Sequence, residues 1–312
     1  MKTMQNQSQH KKILCIAIIF FDFEVIKKSI DFMVSHDDML DIVILENPSE
    51  FTQDLIKPYI QTLLEAEKIK QYILFDNNIT NNAVEIFVDH SNTINWEDYD
   101  YILLTDGDLI VEGNGWLCEE IEILNKYSDI FACAVGLDIA NLPVKTFPEA
   151  VKWVPPPIAQ YDGYTETLTG IHLVLLKTEK LLKFLNWRKK NGFNFIDSSL
   201  HFFCYEVLKE KWVIIKNSQA KHLTWDSYQD LSHPYTKFKI KKTFTETWNH
   251  QLYSGYTIFT KGNLSTGQYC STKKTFNSSN PKVTLRLKWF ILGFMKRIKN
   301  KVNQIKEIKI LD

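Results

Sequence analysis

The chain has 312 residues, 37 of them Lys or Arg and 37 Asp or Glu, so its formal net charge is zero. Such a length can bury a full core as one large domain or one domain with an appendage, and ordinary apolar content excludes a disordered chain. Balanced charge argues against a generalised nucleic-acid-binding surface, and no uncharged run reaches the roughly 18 residues of a spanning helix. The balance conceals an asymmetry, since residues 282–312 hold nine basic and two acidic side chains. The five cysteines (Cys15, Cys118, Cys133, Cys204 and Cys270) form no C-x-x-C pair. Four of them sit in apolar or amphipathic runs, which reads as core thiols in a reducing compartment.

Residues 1–10 are polar and predict a flexible N-terminus. Ile13–Phe20 is apolar throughout and predicts a buried strand. Lys11-Lys12 before it would suit an export signal, but Asp22-Phe23-Glu24 stands where a small-residue cleavage site belongs, which favours the strand. Ile26, Ile30, Met33 and Val34 then recur at helical spacing within Phe23–Val34. Asp41–Leu45 is the next strand, closed by Glu46-Asn47-Pro48-Ser49, and Thr52–Ala66 reads as helix. Tyr72–Phe75 predicts a third strand, an Asn-rich turn through Asp76-Asn77-Asn78, and a helix near Asn82–Asp89. Tyr101–Thr105 is the following strand, then a helix near Leu117–Lys126 and a strand over Ile130–Val135. Strands alternating with helices predict an α/β fold with a mainly parallel sheet flanked by helices.

Beyond residue 140 the pattern loosens. Trp153-Val154-Pro155-Pro156-Pro157 must be extended, and Thr169-Gly170-Ile171-His172 leads into a strand over Leu173–Leu176. Helices over Glu179–Lys190 and Ser198–Glu210 flank Asn191–Asp197. Trp212–Ile215 is a late strand, followed by Ala220-Lys221-His222, and 232–280 reads as aromatic and irregular. From Leu287 onward, Ile291, Met295, Ile298, Val302, Ile305 and Ile308 recur every three or four residues among lysines. This basic amphipathic pattern over about 285–310 suits an anionic membrane surface, and equally docking on its own domain or a second subunit, so an oligomer stays open. The organisation is therefore 1–10, 11–230 and a C-terminal extension over 231–312.

Asp106-Gly107-Asp108 carries the most chemistry. Side chains two apart on an extended chain share a side, and ligands of open α/β sheets sit beyond the strands' carboxyl ends. Two carboxylates placed so can hold a hard divalent cation that bridges phosphate oxygens; the bland reading is a pair of solvated turn acids. His222 offers an imidazole to such an ion, or is a satisfied core histidine. Asp197 is the best candidate base, although Asp197-Ser198-Ser199 also fits a helix N-cap. Asp162 and Glu166 are alternates.

This order of elements and motifs resembles the GT-A class of nucleotide-sugar glycosyltransferases, bacterial family 2-like enzymes in particular, over roughly residues 11–225. The resemblance implies a Rossmann-like GT-A domain over 11–230. It makes Glu46, Asn47, Ser49, Asn78 and Asp106 nucleotide contacts, Asp106, Asp108 and His222 the metal site for Mn2+ or Mg2+, and Asp197 the catalytic base of an inverting transfer. Glu46 departs from the family's usual Asp. The implied partners are a nucleotide-sugar donor and a glycan or lipid-linked acceptor, with no nucleic acid. The implied setting is bacterial surface-polysaccharide synthesis, in the cytoplasm or peripheral at the inner membrane face. Competing readings are a nucleotidyltransferase of similar fold and a non-catalytic carbohydrate-binding or scaffold protein.

Overall fold

The structure is a computed structural model that describes residues 13–90, 94–113, 115–245 and 252–271. The polar start at 1–10 and the amphipathic segment at about 285–310 lie outside the described residues. In chain order the elements are β1 (Ile13–Phe20), α1 (Phe23–Val34), β2 (Leu40–Asn47), α2 (Lys57–Glu65), β3 (Gln71–Phe75), α3 (Asn82–His90) and β4 (Tyr101–Asp106). There follow β5 (Leu109–Val111), α4 (Trp116–Lys126), β6 (Ile130–Leu137), β7 (Ala159–Gln160), β8 (Tyr164–Glu166), β9 (Val174–Lys177), α5 (Thr178–Asn191) and α6 (Asp197–Phe202). The last are β10 (Lys211–His222), α7 (Thr224–Tyr228), α8 (Pro234–Thr245), β11 (Leu252–Thr260) and β12 (Asn263–Ser271).

The strands form one sheet in the order β12-β11-β3-β2-β1-β4-β9-β6-β10-β8-β7, with β5 paired to β10 off that path. β1 through β4 are mutually parallel, and β6 and β10 run the same way, as the sequence predicts. β9 enters antiparallel between β4 and β6, which makes the sheet mixed. Alternate residues of each strand feed two cores. Ile13, Cys15, Ala17 and Ile19 of β1 pack with Ile26 and Ile30 of α1, Ile60 of α2 and Leu117 and Ile123 of α4. Leu14, Ile16 and Ile18 face the other way, onto Val84 and Phe87 of α3 and Leu181 and Phe184 of α5. Burial on both faces explains why β1 reads as an unbroken apolar run rather than an alternating one.

Several sequence boundaries shift. The predicted helix over Thr52–Ala66 begins as a π turn over Thr52–Ile56, and the one over Ser198–Glu210 becomes α6 followed by a π turn over Phe203–Leu208. β10 is a single twelve-residue strand, so His222 ends a strand instead of lying in a segment after it. The stretch read as irregular contains α8 and the β11–β12 hairpin, which adds antiparallel to β3. Cys15, Cys133 and Cys204 are core thiols, but Cys118 lies on the exposed side of α4. No helix among the described residues is long and apolar enough to cross a membrane.

Candidate functional site

The strand order reverses between β1 and β4: β2 and β3 extend the sheet to one side of β1, and β4 begins the other. In an open sheet of this kind the crevice at that reversal, beyond the carboxyl ends, is where ligands bind. Register puts the three ends along one edge, with Phe20 opposite Asn47 and Ile18 opposite Asp106. A cavity of about 360 Å³ opens there, lined by Phe20, Asn47, Asn78, Asp106, Asp108, His172 and His222 among others.

Gly107 is dictated by crowding. Its N–H donates to Ile18 O at 2.6 Å, and a Cβ would stand 2.3 Å from Ile19 Cγ2 and 2.9 Å from Ile18 O. The chain therefore turns against β1 between two acids, and β5 follows at once. β5 pairs with the end of β10, His222 opposite Leu109, and Leu223 N donates to Asp108 O at 2.8 Å. That pairing is what brings His222 to the acids. We expect Gly107→Ala to destabilise the protein by about 1–3 kcal/mol, the usual cost of overpacking. Urea denaturation checks it; an unchanged midpoint would show that β1 yields freely.

Asp108 receives a hydrogen bond from the Thr224 hydroxyl and lies 3.3 Å from His222 Nδ1, while its Oδ1 is buried without a partner. Across the cavity His172 Nε2 is 3.6 Å from Asp106 Oδ2, and the two imidazole centroids are 5.8 Å apart. Gly170 makes room for this ring, since a Cβ there would come within 2.7 Å of His172 Cε1. Asp106 exposes 33 % of its side chain, but into the cavity rather than open solvent. Burial holds its carboxyl well above the ordinary range, and the charges of Asp108 and Asp197 push the same way; Lys239 opposes them. Burial also lowers His172 to about 4, aided by His222, and lowers His222.

The nucleotide contacts expected at the end of β2 divide by strand alternation. Glu46 and Asn47 point to opposite faces of the sheet, so only one can reach the cavity. Asn47 does: its Oδ1 accepts from Ile79 N at 2.8 Å and its Nδ2 donates to Thr80 O at 3.2 Å, which fixes the loop carrying Asn78, Thr80 and Asn81 along the cavity. Glu46 is fully buried on the other face, accepting from Thr52 Oγ1 at 2.5 Å and from the Tyr72 hydroxyl, and does not line the cavity. Ser49 does not line it either; its Oγ accepts from Phe51 N at 3.3 Å in a local turn. Asn78 lines the cavity, with its Oδ1 accepting from Thr80 N at 3.0 Å.

Burial pushes Glu46 up to about 7, against the opposing bonds from Thr52 and Tyr72. A carboxyl raised from 4.5 binds its proton more tightly folded than unfolded. Stability from this group is thus fully present below about 4.5 and is lost as pH rises through about 7. The swing is on the order of 3 kcal/mol. Glu46→Gln should flatten this slope, as read by denaturation at several pH values; an unaltered slope would place the titration elsewhere.

Asp197 sits at the first turn of α6 and does not line the cavity. It is not the N-cap, which is Ile196; its carboxylate takes a hydrogen bond from its own backbone, and its Oδ1 is buried without a partner. Burial raises its carboxyl to about 6. The loop before it is anchored from α3 and α5. Phe195 N donates to Glu85 Oε2 at 2.8 Å, and buried Arg188 pairs with Glu85 at 3.7 Å and with Asp89. Of the alternates, Glu166 belongs to β8 and Asp162 to the turn before it, and neither lines the cavity.

His172, Thr224, Tyr235, Phe238 and Lys239 line the cavity without having been singled out from sequence. The last three come from α8, whose rings pack on the end of β1, Phe238 on Phe20 at 5.0 Å and Tyr235 on Phe21 at 5.3 Å. Trp153 and Trp225 complete the wall, with Trp225 stacked on His222 at 4.8 Å.

Among the described residues no three His, Cys, Asp or Glu side chains converge so as to hold a metal ion by themselves. The donor chemistry nevertheless fits a cation shared with phosphates: two acids side by side, an orphaned buried Asp108 Oδ1 and an orphaned buried His172 Nδ1. Magnesium-type sites use one or two carboxylates with substrate phosphates rather than an all-protein cage.

No family model matches the chain. It is 37% identical over 261 residues to an uncharacterized protein, L142, of Acanthamoeba polyphaga mimivirus, covering 83% of this chain and 53% of that one. A second uncharacterized protein of the same virus, L137, is 38% identical over 250 residues, covering 80% of this chain and 34% of its own length. The chain thus spans about half the length of the curated relatives it matches, or less. These relatives are viral and lend no support to a bacterial setting. Among solved structures, it is similar to GalNAc-T7 with UDP, GalNAc and Mn2+, at 10% identity and a TM-score of 0.47, covering 69% of this chain and 44% of that one. Glucosyl-3-phosphoglycerate synthase from Mycobacterium tuberculosis, in complex with Mn2+ and UDP-glucose, matches at 12% identity and a TM-score of 0.39, covering 80% of this chain and 86% of that one.

Proposed function

We propose that this chain is a nucleotide-sugar-dependent glycosyltransferase domain of the GT-A type. It moves a sugar from a nucleoside diphosphate to a hydroxyl of a glycan or lipid-linked acceptor. The observation that carries this reading is the pair of acids, Asp106 and Asp108, in a cavity where the strand order of the sheet reverses. A nucleoside diphosphate lying along that edge would meet the Asn47-held loop first and the acids next. Asn78, Thr80 and Asn81 offer hydrogen bonds to base and ribose, and Phe20 and Phe238 offer aromatic faces.

Asp106 and Asp108 would hold Mn2+ or Mg2+ together with the diphosphate, with His222 adding an imidazole that favours manganese. When bound, the cation supplies Lewis-acid stabilisation of the charge growing on the leaving diphosphate. Lys239, whose charge acts on Asp106 and His222, adds a positive field to the same place. Trp153 and Trp225 present ring faces for a sugar. Asp197 lies outside the cavity lining, but its charge acts on Asp106; with its unpartnered oxygen it would take the proton of an acceptor bound beside the cavity, and attack opposite the leaving group would invert the anomeric carbon. The unit 11–230 bears the acids, and α8 from 231–312 closes one wall.

The test is release of the nucleotide, as the diphosphate from UDP-, GDP- and dTDP-linked sugars and as CMP from CMP-linked sugars, with Mn2+. The reading expects release from at least one donor and its loss on chelation. No release from any of them, with or without metal, would count against it.

A further inference from the structure

Thr224 touches two groups of the cavity at once. Its hydroxyl is hydrogen-bonded to Asp108 Oδ2 and lies 2.9 Å from His222 Nδ1. Asp108 Oδ2 is itself 3.3 Å from that ring nitrogen. A threonine hydroxyl has one proton to give and lone pairs to receive with, whereas an ionised carboxylate only accepts. The hydroxyl proton therefore goes to Asp108, and the hydroxyl oxygen accepts from His222. That bookkeeping places the imidazole proton on Nδ1 and leaves the lone pair on Nε2. The ring has little freedom to escape this arrangement. It lies flat on Trp225, 8° from parallel, and Asn141 Nδ2 holds the His222 carbonyl at 2.9 Å. Thr224 is buried, so solvent does not readily replace its hydroxyl.

We propose that Thr224 is a positioning residue that sets the tautomer of His222, keeping Nε2 as an electron-pair donor for a divalent cation. The inference rests on reading the cavity as a metal–diphosphate site. The hydroxyl relays the charge of Asp108 to the ring, and a partner on the far nitrogen is what fixes a metal-ligating histidine. The reverse chain, from a protonated Asp108 through Thr224 to Nδ1, would put the ring proton on Nε2 and block that nitrogen as a ligand.

Long-range proton–nitrogen NMR on metal-free, 15N-histidine-labelled protein reads the tautomer directly, with the His222 signals identified by their absence from His222→Gln. The expected result is an Nδ1-protonated ring in the wild type and in Thr224→Ser, and a shift toward the Nε2-protonated form in Thr224→Val. Titration with Mn2+ in the presence of UDP, GDP, dTDP or CMP, followed by electron paramagnetic resonance, should find affinity lowered about 10–100-fold in Thr224→Val and retained in Thr224→Ser. An Nε2-protonated ring in the wild type, or a Thr224→Val ring unchanged from wild type, overturns the proposal. An Nδ1-protonated wild type that binds no Mn2+ with any of these nucleotides present supports the tautomer assignment and overturns the reading of the cavity instead.

Discussion

Asp108→Asn should lower donor turnover by about 10³-fold while leaving the fold intact or slightly more stable. The first part follows from losing a cation's grip on the leaving diphosphate, an effect of several kcal/mol, and about 4 kcal/mol corresponds to that factor. The second follows from the acids' mutual repulsion. Asp108's charge is one of the causes that hold the Asp106 carboxyl well above its ordinary range. Neutralising it removes a like-charge penalty inside a buried site, and asparagine keeps the shape and an oxygen for Thr224. Activity falling while the melting temperature holds or rises is the mark of a site whose acids are retained against stability. A melting temperature that drops sharply would make Asp108 a structural residue, and the loss of turnover would then say little about metal.

Asp197→Asn should reduce transfer by about 10²–10⁴-fold, the usual contribution of a positioned base, with nucleotide affinity preserved. Its pH signature is specific. Burial raises the carboxyl to about 6, and only the ionised form accepts a proton. Transfer by the wild type should thus fall about tenfold per unit as pH drops below about 6, and the variant should lose that limb. Since Ile196, not Asp197, occupies the cap position, the substitution removes no helix cap. A variant with full transfer rate and an unchanged acid limb would return Asp197 to a purely structural role.

The strands whose carboxyl ends frame the cavity were legible because burial on both faces forces continuous apolar runs, as in Ile13–Phe20 and Tyr101–Thr105. The acids were legible because a polar D-G-D directly after such a run has few reasons to exist. What was not legible depends on pairings between distant segments. His172 reads as the mere approach to a strand until β9 is seen to insert antiparallel beside β4, Val174 opposite Leu104, which carries its amino end to the carboxyl edge. His222 and Thr224 reach Asp108 only through the pairing of β10 with β5, and the polar Lys216-Asn217-Ser218 in the middle of β10 hides its continuity. Glu46 and Asn47 look like equal candidates in sequence, but alternation sends one to the core and one to the cavity. The β11–β12 hairpin escapes because Gly255 and Gly267 interrupt its pattern. α8 escapes because its apolar residues meet the Phe20–Phe21 corner rather than a face of its own domain's sheet.

The most direct measurement is calorimetric titration of the wild-type protein and Asp108→Asn with UDP, GDP, dTDP and CMP, each with and without Mn2+. Binding of at least one nucleotide that tightens with Mn2+ in the wild type, and loses that dependence in Asp108→Asn, is the predicted result. No binding of any nucleotide, or binding indifferent to both metal and Asp108, would contradict the claim that these acids gather a cation and a diphosphate at the edge of the sheet.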